Sequence, residues 1–167
     1  RTPKAVLRLS LPTEVADDEG VLRRVQRTAE VGVYETTGNG WIYELGMPVM
    51  ETGDTWDVDV RQKVPLTLER DGVPPAYLRT LRAEVLNAMR EELTSDVATE
   101  DWVREAAGAK NAEPETVARV LDLRFGEKRG AYDPSDPEAN KLAVSQGYTV
   151  GSGGALTPGE WRNAKAA

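Results

Sequence analysis

The sequence predicts an α+β fold: an antiparallel sheet with one long packed helix, then a helical segment and a small βαβα tail. Three observations predict it. Apolar and polar residues alternate with period two up to residue 64, the period becomes helical over residues 76–93, and short apolar runs alternate with capping signals after residue 128. The implied divisions are 1–94 for sheet and long helix, 95–128 for the helical segment, and 129–167 for a tail packed on that segment.

The first strand runs from Ala5 to Leu11, which alternate in polarity, and Pro12 to Gly20 then form an acidic loop with Glu14, Asp17, Asp18 and Glu19. Val25, Ala29, Val31 and Val33 share a parity, as one buried strand face requires. The turn-forming cluster Thr36-Thr37-Gly38-Asn39-Gly40 joins that strand to Trp41–Leu45 as a hairpin. Gly46-Met47-Pro48 breaks the run and Gly53-Asp54 turns the chain again. In the next strand Trp56, Val58 and Val60 face the core, while Asp57 and Asp59 take the outward face.

Helical spacing then places Leu78, Leu81, Val85, Leu86, Met89 and Leu93 on one face of a continuous helix from Ala76 to Leu93, with Leu81, Val85 and Met89 against the sheet. Pro75 suits its first turn, where a missing N–H costs no hydrogen bond. One shorter helix begins near Thr99 and presents Trp102 and Val103; another begins near Pro114 and presents Val117, Val120 and Leu121. In the tail, Ala131-Tyr132 and Tyr148-Thr149-Val150 are short strands. Asp136-Pro137-Glu138 opens a helix that stops at Gly147, and Thr157-Pro158-Gly159-Glu160 caps a terminal helix carrying Trp161.

Composition narrows the chemistry. A formal charge of −7 disfavours a general binder of nucleic-acid backbone, although Arg23, Arg24 and Arg27 cluster. The absence of Cys removes disulfides and thiolate chemistry and points to a cytoplasmic setting. The absence of His removes the commonest general base and zinc ligand, so Ser145 and Ser152 have no imidazole to activate them. No apolar run approaches membrane-spanning length. The start, Arg1-Thr2-Pro3-Lys4, has neither an initiator Met nor a signal core and is expected to be the cut edge of a longer polypeptide or of a removed tag.

The segment Lys63-Val64-Pro65-Leu66-Thr67-Leu68-Glu69-Arg70-Asp71, followed by Pro74-Pro75 and the long helix, carries the main functional signal. It resembles the catalytic loop in the middle domain of the ninety-kilodalton heat-shock chaperones, a Pro-Leu-Asn-x-Ser-Arg-Glu loop before a helix. Those chaperones are GHKL ATPases, with DNA gyrase B, MutL and topoisomerase VI. Pro65, Leu66, Arg70 and Asp71 carry the match; Thr67 stands where the family has Asn, Glu69 where it has Ser, and Gly72-Val73-Pro74-Pro75 lies between loop and helix. Gly46-Met47-Pro48-Val49 and the stretch Asn140–Val150 also look like uncharacterised GHKL-type ATP-binding proteins of actinobacteria and their phages.

The resemblance implies a transducer-like domain in which Arg70 reaches the γ-phosphate of ATP bound by a neighbouring domain. Arginine suits that role because its planar fork stays protonated and a transferring phosphoryl group needs positive charge. Gln62-Lys63 is similar to the Gln-Thr-Lys loop of gyrase-type transducers, which implies a phosphate contact for Lys63 with Gln62 beside it. No cofactor is expected on this chain, whereas ATP and Mg²⁺ are implied for the parent protein, since the Asn-box and glycine lid of a GHKL site are missing here. The implied function is coupling: sensing the nucleotide state of an N-terminal ATPase domain in cis and relaying it to a partner or a homodimer mate. The alternative is a stand-alone module, phage-encoded for example, that binds a host factor through its helical half.

Other constellations have ordinary explanations. Glu14 to Glu19 lacks the spacing of a calcium loop. Gly151-Ser152-Gly153-Gly154 lacks the Lys-Ser/Thr of a phosphate loop. A carboxylate-only hydrolase lacks a closely spaced acidic pair in a loop. Trp41, Trp56, Trp102 and Trp161 fall at apolar positions of strands and helices, where core packing is expected.

Overall fold

Valine-rich alternation and turn residues build the first part of the chain into strands β1 (Ala5–Ala16), β2 (Leu22–Glu35), β3 (Trp41–Glu44), β4 (Met47–Glu51) and β5 (Trp56–Val60). The computed structural model describes residues 1–69, 71–126, 129–131 and 149–151. These strands form one mixed sheet of order β1-β2-β5-β3-β4. Two compact units are present, Arg1–Leu78 and Arg79–Ala167, and the division falls within the long helix.

The long β1–β2 hairpin replaces the expected acidic loop. Pro12 to Ala16 continue β1, with Pro12 opposite Gln26 and Glu14 opposite Arg24. Pro12 is tolerated because β1 is an edge strand, where a missing N–H breaks no ladder. Only residues 17–21 turn. There the Asp17 carboxylate accepts from the backbone N–H groups of Glu19 and Val21, both at 2.9 Å, and from Arg23 at 3.2 Å. Hydrogen bonding, led by the Val21 amide, lowers the Asp17 pKa. Gly20 supplies the positive φ of 81° that closes the turn.

The expected hairpin between β2 and β3 is corrected. The chain does reverse at residues 36–40, but β5 occupies the slot between the two strands, antiparallel to β2 and parallel to β3. Gly40 makes the insertion possible. Its N–H donates to Asp54 O at 3.0 Å, and its own carbonyl accepts from the N–H groups of Thr52 and Gly53. A Cβ there would lie 2.5 Å from Asp54 O and 2.6 Å from Trp56 O, so only glycine fits.

The run does break at Gly46 as expected, but Met47 and Pro48 already belong to the next strand. Leu45 (φ 49°) and Gly46 (φ 85°) form a two-residue turn with both residues left-handed, the geometry of a tight hairpin. β4 follows as the opposite edge strand, where Pro48 is again admissible.

On the core face, Leu11, Ala29, Val31, Val33, Ile42, Trp56, Val58 and Val60 are buried, and the parity read for β2 holds. The placement of Asp57 and Asp59 on an outward, solvated face is overturned: they are 3% and 8% exposed. β5 is a central strand, and side chains from its neighbours cover its second face. Each carboxylate is satisfied separately. Asp57 accepts from Trp41 N and Arg1 Nη1, and Asp59 from Gly46 N and Arg61 Nη1.

Helix α1 spans Pro75–Met89, with Pro75 in its first turn as expected, and a 3-10 turn follows at Arg90–Glu92, so the helix stops short of Leu93. Leu81, Val85, Leu86, Met89 and Leu93 are buried, together with Tyr77 and Ala83. Thr94 caps a short, unexpected helix α2 (Ser95–Ala98) by accepting from Val97 N. Helices α3 (Asp101–Ala107) and α4 (Pro114–Phe125) lie where predicted and bury Trp102, Val103, Val117, Val120 and Leu121.

A polar network orders the loop before α4. Asn87 donates to Asn111 O and accepts from Glu113 N, both at 2.9 Å; Asn111 donates to Thr80 O and Glu84; Arg90 pairs with Glu113 at 2.6 Å. Short strands β6 (Arg129–Ala131) and β7 (Thr149–Gly151) pair in parallel. The helix expected before Gly147, the loop Ser152–Gly154 and the terminal helix with Trp161 lie outside the described residues. No helix among the described residues is long and apolar enough to cross a membrane.

Candidate functional site

The segment leaving β5 is clamped to three strands before it reaches α1. Arg61 N donates to Glu30 O of β2 at 3.0 Å. The Gln62 amide donates to Leu11 O of β1 and Arg27 O of β2 at 3.3 and 3.4 Å. Thr13 Oγ1 of β1 donates to Lys63 O at 2.8 Å, and Val64 N donates to Glu44 Oε1 of β3 at 2.6 Å. Every anchor is a backbone group of the segment or the Gln62 side chain, so the path of the chain is fixed while the Lys63 ammonium stays at the surface.

A cleft of about 240 Å³ opens beside this anchor. Glu14, Lys63 and Thr67 supply its polar lining, and Leu22, Leu66 and Leu68 its apolar lining. Lys63 Nζ lies 3.8 Å from Glu14 Oε2, with the lysine side chain 52% exposed. The far end of the loop is closed by Thr67 N donating to Gly72 O at 2.9 Å and Thr67 Oγ1 to Asp71 Oδ1 at 2.8 Å. Leu68 is 99% exposed.

Of the residues singled out from sequence, the structure brings Lys63 to the cleft. Gln62 turns its amide to the backbones of β1 and β2 and braces the loop. Arg70 lies outside the described residues. Glu14 was foreseen only as one charge of an acidic loop; the signal that places it here is the strand register opposite β2, which sequence periodicity does not disclose past Pro12. Glu44 and Tyr77 were also missed. Tyr77 is 4% exposed, and its hydroxyl has no hydrogen-bond partner among the described residues. Burial, assisted by the charge of Glu44, raises its pKa well above the ordinary phenol value.

The buried Asp57 and Asp59 are each held by their own donors. Among the described residues no group of three acidic side chains could hold a metal ion. No protein family, curated protein or solved structure matches the chain.

Proposed function

We propose that the chain is a coupling module of a GHKL-type ATPase. The loop after β5 offers Lys63, and further along Arg70, to the phosphates of a nucleotide held with Mg²⁺ by an N-terminal domain. The connection from that loop into α1 relays occupancy to a protein partner or to a second copy. The observation that carries this reading is a hydrogen-bonded loop whose half-exposed lysine lines a cleft. Its pairing with Glu14 does not prevent the role. Solvent-exposed pairs contribute only about 0–1 kcal/mol, so a phosphate with greater charge can displace the carboxylate.

The test is a titration of the chain with Mg²⁺-ATP and, separately, Mg²⁺-ADP, followed through backbone amide shifts. A coupling module that borrows its nucleotide from another domain should give weak, salt-sensitive shifts at Lys63, Leu66 and Thr67, larger with ATP and lost in Lys63→Ala. Unmoved loop amides, or a tight saturable site elsewhere on the chain, would sink the reading.

A second reading, a protein-interaction module, is favoured by one observation. Leu68 and Leu22, 99% and 56% exposed, stand on the same cleft. Exposed leucines lining one cleft are better suited to a partner's apolar side chains than to phosphate. Insensitivity of the loop to nucleotide, combined with loss of partner binding in Leu68→Ser, would favour this reading over the first.

A further inference from the structure

The face of the sheet opposite the apolar core carries a second constructed site. Tyr34 of β2 is directly opposite Asp57 of β5, so the two side chains share a face. Asp57 and Asp59 are two residues apart on one strand, and Tyr43 of β3 pairs with Asp59, which puts Tyr43 on that same face. Three neighbouring strands of the sheet thus contribute an aromatic ring, a carboxylate and a second aromatic ring. Gly32 leaves room for one ring: a Cβ there would lie 2.8 Å from the Tyr34 ring, so the ring rests over the glycine.

The arrangement holds a guanidinium. Arg1 Nη1 donates to Asp57 Oδ2 at 2.8 Å and to Glu35 O at 3.0 Å. The guanidinium carbon lies 4.9 Å from the Tyr34 ring centre and 5.8 Å from that of Tyr43, both within cation–π range. The Asp57 side chain is only 5% exposed, and its other oxygen is fixed by Trp41 N at 2.9 Å. The carboxylate is therefore oriented before any cation arrives. Arg1 itself is 50% exposed, and residues 1–3 belong to no strand. The carboxylate is buried and the two half-buried rings are carried on strands, while the occupant is half in solvent on an irregular segment.

We propose that Tyr34, Tyr43 and Asp57 form a binding site for an arginine side chain, filled here by Arg1 and open to an arginine of a partner peptide. A guanidinium is the fitting ligand because it is planar, can face both rings, and offers forked donors to a carboxylate and a carbonyl together. An ammonium has no flat face to offer the rings. Arg1 acts as a competitor: a ligand tethered beside its own site holds a high effective concentration, and an incoming arginine must displace it.

The experiment titrates acetyl-arginine amide into the full chain and into Arg1→Ala, following the Trp41 backbone amide and the ring resonances of Tyr34 and Tyr43. Circular dichroism verifies that the sheet is intact. Arg1→Gln, which keeps a polar side chain but lacks the charge and the guanidinium, serves as the second variant should Arg1→Ala disturb the fold. Saturable shifts are expected in the Arg1 variant, with affinity at least about tenfold above that of the parent chain, whose site is mostly filled. Adding Tyr43→Leu should remove the response. Three outcomes would overturn the proposal: no saturable shift in either Arg1 variant, equal affinity in parent and variant, or acetyl-lysine amide binding as tightly as the arginine probe.

Discussion

Tyr77 concentrates an energetic cost in one hydroxyl. A buried polar group without a partner loses its hydration and gains nothing in return, a cost of about 1–3 kcal/mol. Tyr77→Phe removes that group and keeps the ring, so it should stabilise the protein by about 1 kcal/mol in chemical denaturation. The hydroxyl also sets an alkaline limit. Because folding raises its pKa, the folded state binds the phenolic proton more tightly than the unfolded chain. That contribution is complete below the unfolded value of 10.0 and is lost as pH rises from there toward the folded value. Parent stability should therefore fall more steeply above pH 10 than that of Tyr77→Phe, as paired melts across that range would measure. Asp17 has the opposite sign. Its lowered pKa contributes stability above its ordinary value of 3.8, and the contribution disappears as pH falls through the depressed one.

At the scale of elements, Gly40 governs how β5 enters the sheet. A methyl group at that position would press on two backbone carbonyls, which cannot swing aside as a flexible side chain would. Gly40→Ala should destabilise by about 1–3 kcal/mol or more, in line with overpacked sites; Gly38→Ala, where a Cβ meets nothing, is the control. The elements themselves were largely legible. Alternation located β2 and β5, helical spacing located α1 and α4, and the helix start near Thr99 ahead of Trp102 and Val103 located α3, because each signal is local. What was hidden depended on distant chain. Pro12 and Pro48 suggest breaks unless their strands are known to be edges. Asp57 and Asp59 suggest a wet face unless Arg1, Tyr34 and Arg61 are known to cover it. The same division applies to the cleft: Lys63 stood out in its loop, whereas its neighbour Glu14 is brought there by pairing across β1 and β2.

Across the whole molecule, a net charge of −7 repels nucleotide, so any phosphate contact must come from a few cations presented locally. This sets the expected rank of effects in a longer parent that carries the ATP site. Arg70→Ala should slow ATP hydrolysis there by about 10²-fold or more, as the loss of a major electrostatic group at phosphoryl transfer does. Lys63→Ala should do less, and nucleotide binding should weaken far less than turnover. Steady-state ATPase assays on the two variants decide the point: equal rates for parent and Arg70→Ala would end the arginine's proposed role, and a reversed order would favour the gyrase-like loop.

The late arrival of β5 also has a consequence during synthesis. Two hairpins, β1–β2 and β3–β4, are complete in sequence before residue 56 is made, yet neither pairs with the other. The inner edges of β2 and β3 remain bare until residues 56–60 emerge and bridge them. Translation at about 5–20 residues per second keeps that interval short. A nascent chain halted with residue 51 outside the ribosome and residues 56–60 still enclosed would present two adhesive strand edges, for which the matching strand of another copy is the nearest substitute.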